Sequence, residues 1–385
     1  MPVLRSRGPV WCACALLLIA SSGAARAETT DPSGCARGLA ALDAGGQVVF
    51  ETVALLTGRP GVAVAPLHAL ERGGVRWSRL ELRPLTGGPG TPVAGVGTRP
   101  EQDLALLGVD ATAGCAARSP EAADAPPAAG SAVRLFRERH GFRSGAIGGR
   151  VERVVDLADG GRVALLHLLD EGGSDPGLVV DDGGRFLGVT GPAPVGADPA
   201  LAAVVLAPPA ALDLEGDGRG WKPAREAIEP RPAPLVLSTT PGLVGQALVL
   251  EGRDGGVRGI ALLSVAIARD EGVAAVHLER GVLEFGAGQL PAATSDFQRA
   301  AAIDPSSRLA RFNLGVCLGA AGRYAEAAEA FLQARDLDPA HARTRYQLAL
   351  ALKVLRRDTE ARREYDALLA LDPALADDLK ATLGF

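Results

Sequence analysis

Lysine is scarce: the 385 residues hold three, Lys222, Lys353 and Lys380, beside 37 arginines that show no clustering. With a formal net charge of −5, the chain offers no basic face to neutralise a phosphate backbone, and nucleic acid is excluded as an expected partner. The five histidines are widely scattered and no Cys/His spacing resembles a metal site, so neither a metal nor a cofactor is expected. Long apolar runs are lacking too. The run Val10 to Ala20 has eleven residues and none of that length follows it, whereas a membrane-crossing helix needs about 18 or more. No membrane span is expected.

That short run follows Arg5 and Arg7 and leads to Ala25-Arg26-Ala27. A positive start, a brief apolar stretch and a small-x-small site are the parts of a secretory signal. Residues 1–27 are expected to be a signal peptide, leaving a mature chain from Glu28 that is periplasmic or secreted. Cysteine is sparse as well. Cys12 and Cys14 fall within the signal, while Cys35, Cys115 and Cys317 remain. Cys35 and Cys115 lie in the first part of the chain, outside its evident strands, and could pair in an oxidising compartment. Cys317 sits among apolar residues on a predicted helix, where its expected role is that of a small buried hydrophobe.

From Gln47 to about Leu206 the chain alternates short Val- and Leu-rich runs with Gly, Pro and Asp, the pattern of strands and turns. Val151–Leu157 and Val163–Leu166 flank Asp159-Gly160-Gly161, and Leu178–Val180 and Arg185–Val189 flank Asp182-Gly183. Each reads as a hairpin. An antiparallel all-β domain over residues 28–214 follows, a barrel or sandwich and not a doubly wound sheet. Residues 215–234 hold Gly216, Gly218, Gly220, Pro223, Pro230, Pro232 and Pro234. Such a composition supports neither a helix interior nor a central strand, and it reads as a linker.

Beyond it, over 235–385, the texture turns alanine-rich and helical, and this part is expected to fold alone. Asp304-Pro305, Asp338-Pro339 and Asp372-Pro373 recur at intervals of 34 residues. Small residues stand 24 before each proline (Gly281, Gly315, Ala349) and 12 before it (Ala293, Ala327, Ala361), and an aromatic eight before it (Phe297, Phe331, Tyr365). The period and these offsets resemble tetratricopeptide (TPR) units, pairs of helices that stack into a solenoid. Three clear repeats fall at about 274–307, 308–341 and 342–375, with room for a degenerate fourth before them and a cap after Ala374. The resemblance implies a groove that takes a protein or peptide partner.

Three segments of the β part, in order, resemble the trypsin-like serine proteases of chymotrypsin fold, and their bacterial HtrA-like branch above all. They are Gly61-Val62-Ala63-Val64-Ala65-Pro66-Leu67-His68-Ala69-Leu70, Asp103-Leu104-Ala105-Leu106-Leu107, and Gly172-Gly173-Ser174-Asp175-Pro176-Gly177-Leu178-Val179. The resemblance covers roughly residues 40–210 and implies a double β-barrel with the site between the barrels. In that site Ser174 would be the nucleophile, His68 its base and Asp103 the group orienting the imidazole. The N–H groups of Gly172 and Ser174 would form the oxyanion hole. The implied activity is that of an exported serine endopeptidase with protein substrates.

The chain departs from that family close to the site. Ala65 stands where the family has a small polar residue, Glu51-Thr52-Val53 replaces Gly-Ser-Gly, and Asp175-Pro176 replaces the two glycines after the serine. A carboxylate at Asp175, about 6 Å from the reacting oxygen at an effective dielectric near 20, would oppose an anionic intermediate by roughly 3 kcal/mol. That is about a hundredfold in rate. The alternative reading is therefore an inactive protease fold that serves with the repeats as a binding scaffold. Two other histidines are set aside: His167 as a strand residue bonded locally, and His140 as part of a solvated charged loop, Arg137-Glu138-Arg139-His140-Gly141.

Overall fold

A computed structural model describes residues 35–57, 61–71, 77–85, 88–110, 125–137, 146–157, 161–169, 177–191, 193–194, 197–212, 221–223, 228, 239–250 and 256–383. The N-terminal part is built of antiparallel strands. A seven-stranded sheet runs in the order β5-β4-β1-β2-β3-β7-β6, formed by β1 (Ala36–Leu42), β2 (Val48–Leu56), β3 (Val62–Pro66), β4 (Arg79–Pro84), β5 (Thr91–Pro92), β6 (Gly95–Arg99) and β7 (Leu104–Gly108). A six-stranded closed barrel follows, in the order β10-β13-β12-β11-β8-β9, from β8 (Ala132–Arg137), β9 (Ile147–Asp156), β10 (Arg162–Leu168), β11 (Gly177–Asp181), β12 (Phe186–Thr190) and β13 (Leu201–Leu206). Both hairpins read from the Asp-Gly turns form, β9 on β10 and β11 on β12.

The barrel has its own interior, with Leu135, Leu166, Val179 and Val204. A second core joins the two β units, since Phe136, Leu178, Val180 and Phe186 of the barrel share one apolar cluster with Leu55, Val64, Leu104 and Leu106 of the sheet. Close packing of the barrel strands depends on glycine. A Cβ at Gly188 would stand 2.1 Å from the Val205 carbonyl oxygen, and one at Gly177 2.2 Å from that of Phe136.

Part of the segment expected to be a linker is held against the sheet. Lys222 exchanges both main-chain hydrogen bonds with Val96 on edge strand β6, at 2.8 and 3.2 Å. The indole of Trp221 lies over Gly95 and Gly108, which face each other across β6 and β7. Ile228 is buried in the shared core. Glycine and proline here end regular structure without freeing the chain, because a single bridge and a large ring supply the contacts.

The C-terminal part is helical. After the one-turn α1 (Leu67–Leu70) come α2 (Thr240–Val249), α3 (Val257–Arg269), α4 (Ala274–Gly286), α5 (Leu290–Ile303), α6 (Arg308–Ala320), α7 (Tyr324–Leu337), α8 (Ala342–Val354), α9 (Asp358–Leu371) and α10 (Pro373–Leu383). Helices α4, α6 and α8 start 34 residues apart. Each pair is locked by the aromatic ring resting on the small residue of its first helix. A Cβ at Gly281 would meet Phe297 at 2.7 Å, and one at Gly315 would meet Phe331 at 2.6 Å. Each ring also reaches the following pair, Phe297 beside Cys317 and Phe331 beside Leu348. Cys317 is fully buried, with its thiol near Thr294 Oγ1 and Leu290 O, and burial pushes that thiol up in pKa.

The helical part does not stand apart from the barrel. Leu243, Val244, Ala247 and Leu248 of α2 share a core with Val163 and Leu165 of β10 and with Val276 and Leu283 of α4. Gly245 faces Ala203 of β13 so closely that a Cβ would lie 3.1 Å away, and Arg153 of β9 pairs with Glu279 of α4 at 3.1 Å. The expectation that residues from 235 onward fold alone meets this shared core. It was not visible as a sequence pattern because α2 ends before the broken stretch at Asp254-Gly255-Gly256 and contributes its apolar face to a strand.

Candidate functional site

The register of β3 on β7 pairs Ala65 with Ala105 and Pro66 with Leu104. Continuing that ladder by one step, the Leu67 N–H donates to the Asp103 carbonyl at 2.9 Å. His68 and Asp103, 35 apart in sequence, are thereby held side by side. Pro66 caps the single turn of α1 with extended backbone, which turns His68 inward. Asp103 caps the 3-10 turn Pro100–Gln102 in the left-handed region, with φ 54°. A non-glycine residue in that region is uncommon, with aspartate among those that tolerate it best.

Asp103 grips His68 twice. Its Oδ1 accepts the main-chain N–H of His68 at 2.9 Å, and its Oδ2 meets the ring Nδ1. Both side chains are buried, at 4% and 1% exposure. A carboxylate at Nδ1 holds the proton of a neutral imidazole on that nitrogen and leaves a lone pair on Nε2. Nε2 is itself buried and has no hydrogen-bond partner. The arrangement can therefore take a proton from a group brought to Nε2 and stabilise the resulting imidazolium.

Of the residues singled out from sequence, His68 and Asp103 are brought together. Ser174 and Gly172 lie outside the described residues, as do Asp175, Pro176, His140 and Cys115. The described chain resumes at Gly177, three residues after Ser174, where the Thr190 hydroxyl accepts the Gly177 N–H at 2.7 Å. Cys35 is buried and disulfide-bonded. His167 is an exposed strand residue paired in the ladder with Arg150 and Leu201. Arg137, assigned to a solvated loop, is the last residue of β8 and only 5% exposed. The alternation Val133, Leu135, Arg137 was the signal that places it on the inner row of its strand.

Comparison with known proteins bears on the helical part. Residues 278–342 and 312–376 match the family model described as "Tetratricopeptide repeat". These helix pairs are tetratricopeptide repeats. No curated protein sequence matches the chain. Among solved structures, MamA is similar at 20% identity, covering 36% of this chain and 82% of that one with a TM-score of 0.34. YrrB, described as "a TPR protein with an unusual peptide-binding site", is 21% identical over 38% of this chain and 77% of its own, with a TM-score of 0.35. The Rv3671c protease from M. tuberculosis, in its active form, is 16% identical, covering 52% of this chain and 95% of its own, with a TM-score of 0.38. The TPR array points to protein or peptide partners, and among the described residues no helix is long and apolar enough to cross a membrane.

Proposed function

We propose that the chain is an exported serine endopeptidase of trypsin-like type whose TPR array holds a protein or peptide partner. The observation that carries this reading is the buried His68–Asp103 pair with its unpartnered Nε2. An imidazole oriented by a carboxylate and left with one open nitrogen is what a serine hydroxyl needs in order to attack a carbonyl. Ser174 is the proposed nucleophile, and the N–H groups of Gly172 and Ser174 are the proposed donors to the oxyanion. In the acylation step the Ser174 oxygen bonds to the scissile carbon and its proton passes to His68 Nε2. That proton then goes to the departing amine, and water releases the acyl group by the same base.

The disulfide at Cys35 supports an oxidising compartment, consistent with removal of residues 1–27 on export. On the array, α4, α6 and α8 touch one another in succession. They carry Leu278, Phe312 and Tyr346, and Val282, Val316 and Leu350, at matching offsets and partly buried. These two rows are the proposed seat of an extended segment.

The reading is tested with a fluorophosphonate probe, which labels a serine only when a base activates it and an oxyanion site stabilises the adduct. Labelling is expected, abolished by Ser174→Ala. A folded wild type that stays unlabelled would overturn it in favour of the scaffold reading, which the replacement of two glycines by Asp175 and Pro176 favours. Labelling gained in that case by Asp175→Gly with Pro176→Gly would identify those two positions as what silences the site.

A further inference from the structure

We infer that Thr190 is a positioning residue for the proposed nucleophile: its hydroxyl fixes Gly177, the residue from which the chain runs back to Ser174. The inference rests on the peptidase reading, since it assigns a role in that same site.

Strands β11 and β12 pair in a register that sets Gly177 opposite Thr190 and Leu178 opposite Val189. Leu178 and Val189 enter the core shared by the two β units, together with Leu67 and Leu104, the neighbours of His68 and Asp103. The start of β11 is therefore seated on the apolar cluster that borders the His68–Asp103 pair. There the Thr190 hydroxyl takes both main-chain groups of Gly177, accepting the N–H at 2.7 Å and donating to the carbonyl at 3.3 Å. Thr190 is 2% exposed, so its hydroxyl is sheltered from water that could replace it.

On its other side Gly177 lies against β8, opposite Arg137, where a Cβ would stand 2.2 Å from the Phe136 carbonyl oxygen. Contact with β8 bars Gly177 from moving one way, and the Thr190 hydroxyl holds it from the other. Valine has the shape of threonine without the hydroxyl, and would suit a buried strand position equally well. The hydroxyl is what the Gly177 N–H would miss, since a buried donor that loses its acceptor bears the cost of its lost hydration.

Ser174 stands three positions before Gly177, with Asp175 and Pro176 between them. A proline fixes its own φ at about −65° and keeps the residue before it out of the helical region. A pair so restricted transmits the position of Gly177 to the serine, whereas the two glycines of the family that this part resembles would absorb a displacement. Attack on a carbonyl needs the oxygen about 3 to 3.5 Å from the carbon, and a misplacement of about 1 Å can cost about a hundredfold in rate. Thr190 acts through the main chain of Gly177 and not by touching a reacting atom.

The test follows fluorophosphonate labelling of the full chain at saturating probe, as a function of pH and well below the unfolding midpoint. Wild type, Thr190→Val and Thr190→Ser are compared, each shown to be folded by circular dichroism. Thr190→Val is expected to lower the saturating rate about a hundredfold. The shape of its pH profile should stay unchanged, because the His68 base is left as it was. Thr190→Ser keeps the hydroxyl and should label within about threefold of wild type. A merely structural role would lower the unfolding midpoint and spare the rate of the folded molecules, so a fall of less than about tenfold in Thr190→Val would overturn the inference. Equal falls in the Val and Ser variants would overturn it by showing that the hydroxyl is not what holds Gly177, and a displaced pH profile by showing that the effect passes through His68. Should Thr190→Val fail to fold, Thr190→Ala measured against Thr190→Ser decides on the same terms. A wild type that stays unlabelled sinks the peptidase reading and this inference with it, whereas a labelled wild type with an indifferent Thr190→Val sinks this one alone.

Discussion

The main-chain N–H of His68 donates to Oδ1 of Asp103 at 2.9 Å, while Oδ2 of the same carboxylate meets the His68 ring at Nδ1. One aspartate thus sets both where the histidine backbone lies and which ring nitrogen is left open. Asp103→Asn separates the two roles. The amide oxygen can still accept the His68 N–H, but its NH2 now faces Nδ1 and forces the proton onto Nε2. The fold should survive, with unchanged circular dichroism, and the rate of fluorophosphonate labelling should fall by about 10⁴-fold. A fall of less than tenfold in a folded variant would count against the base role of His68.

In the repeats, Gly281 and Gly315 carry the rings of Phe297 and Phe331 so closely that any side chain displaces them. Gly281→Ala or Gly315→Ala should destabilise the array by about 1 to 3 kcal/mol, the usual range for overpacking. Phe297→Leu should recover part of the loss in the first case. Urea denaturation followed by helical circular dichroism checks both, and an unchanged midpoint for Gly315→Ala would show that the ring is not what fixes the pair.

The carboxyl of Glu284 on α4 is raised from its ordinary 4.5 to about 7, chiefly by burial and next by the nearby Asp296 charge, against the pull of Arg280. Its Oε2 is buried without a partner. Between those two values the folded state holds the proton more tightly than the unfolded chain. The contribution of Glu284 to stability is therefore fully present below about pH 4.5 and lost as pH rises through about 7. Glu284→Gln should raise the urea midpoint at pH 8 and flatten its decline between pH 5 and 8. A variant with the same pH profile as wild type would show that another group controls it.

The helix pairs were legible because a repeat is a local object. Each unit needs only its neighbours, so Asp-Pro, Gly and Phe at fixed offsets carry the packing in the order of the chain itself. The hairpins of β9 on β10 and β11 on β12 were legible for the same reason, their turns being written as Asp-Gly between apolar runs. Arg137 was legible only through the Val133, Leu135 alternation that it continues, a signal that its charge, at the head of a run of charged residues, outweighs. The docking of Trp221 over Gly95 and Gly108 was not legible, since proline and glycine around it announce only an end to regular structure.

The sequence by itself determined the two textures of this protein, strands then paired helices, and the order in which His68 and Asp103 occur, because periodicity and turn chemistry act over a few residues. Tertiary structure alone decided that β3 and β7 pair in the register that brings those two side chains together. It also decided that Arg137 is buried beside Gly177 and that α2 shares its apolar face with β10. Each of these depends on surfaces far apart in the chain excluding water jointly, and a slip of one residue in any of the strands would turn the same side chains to the opposite face.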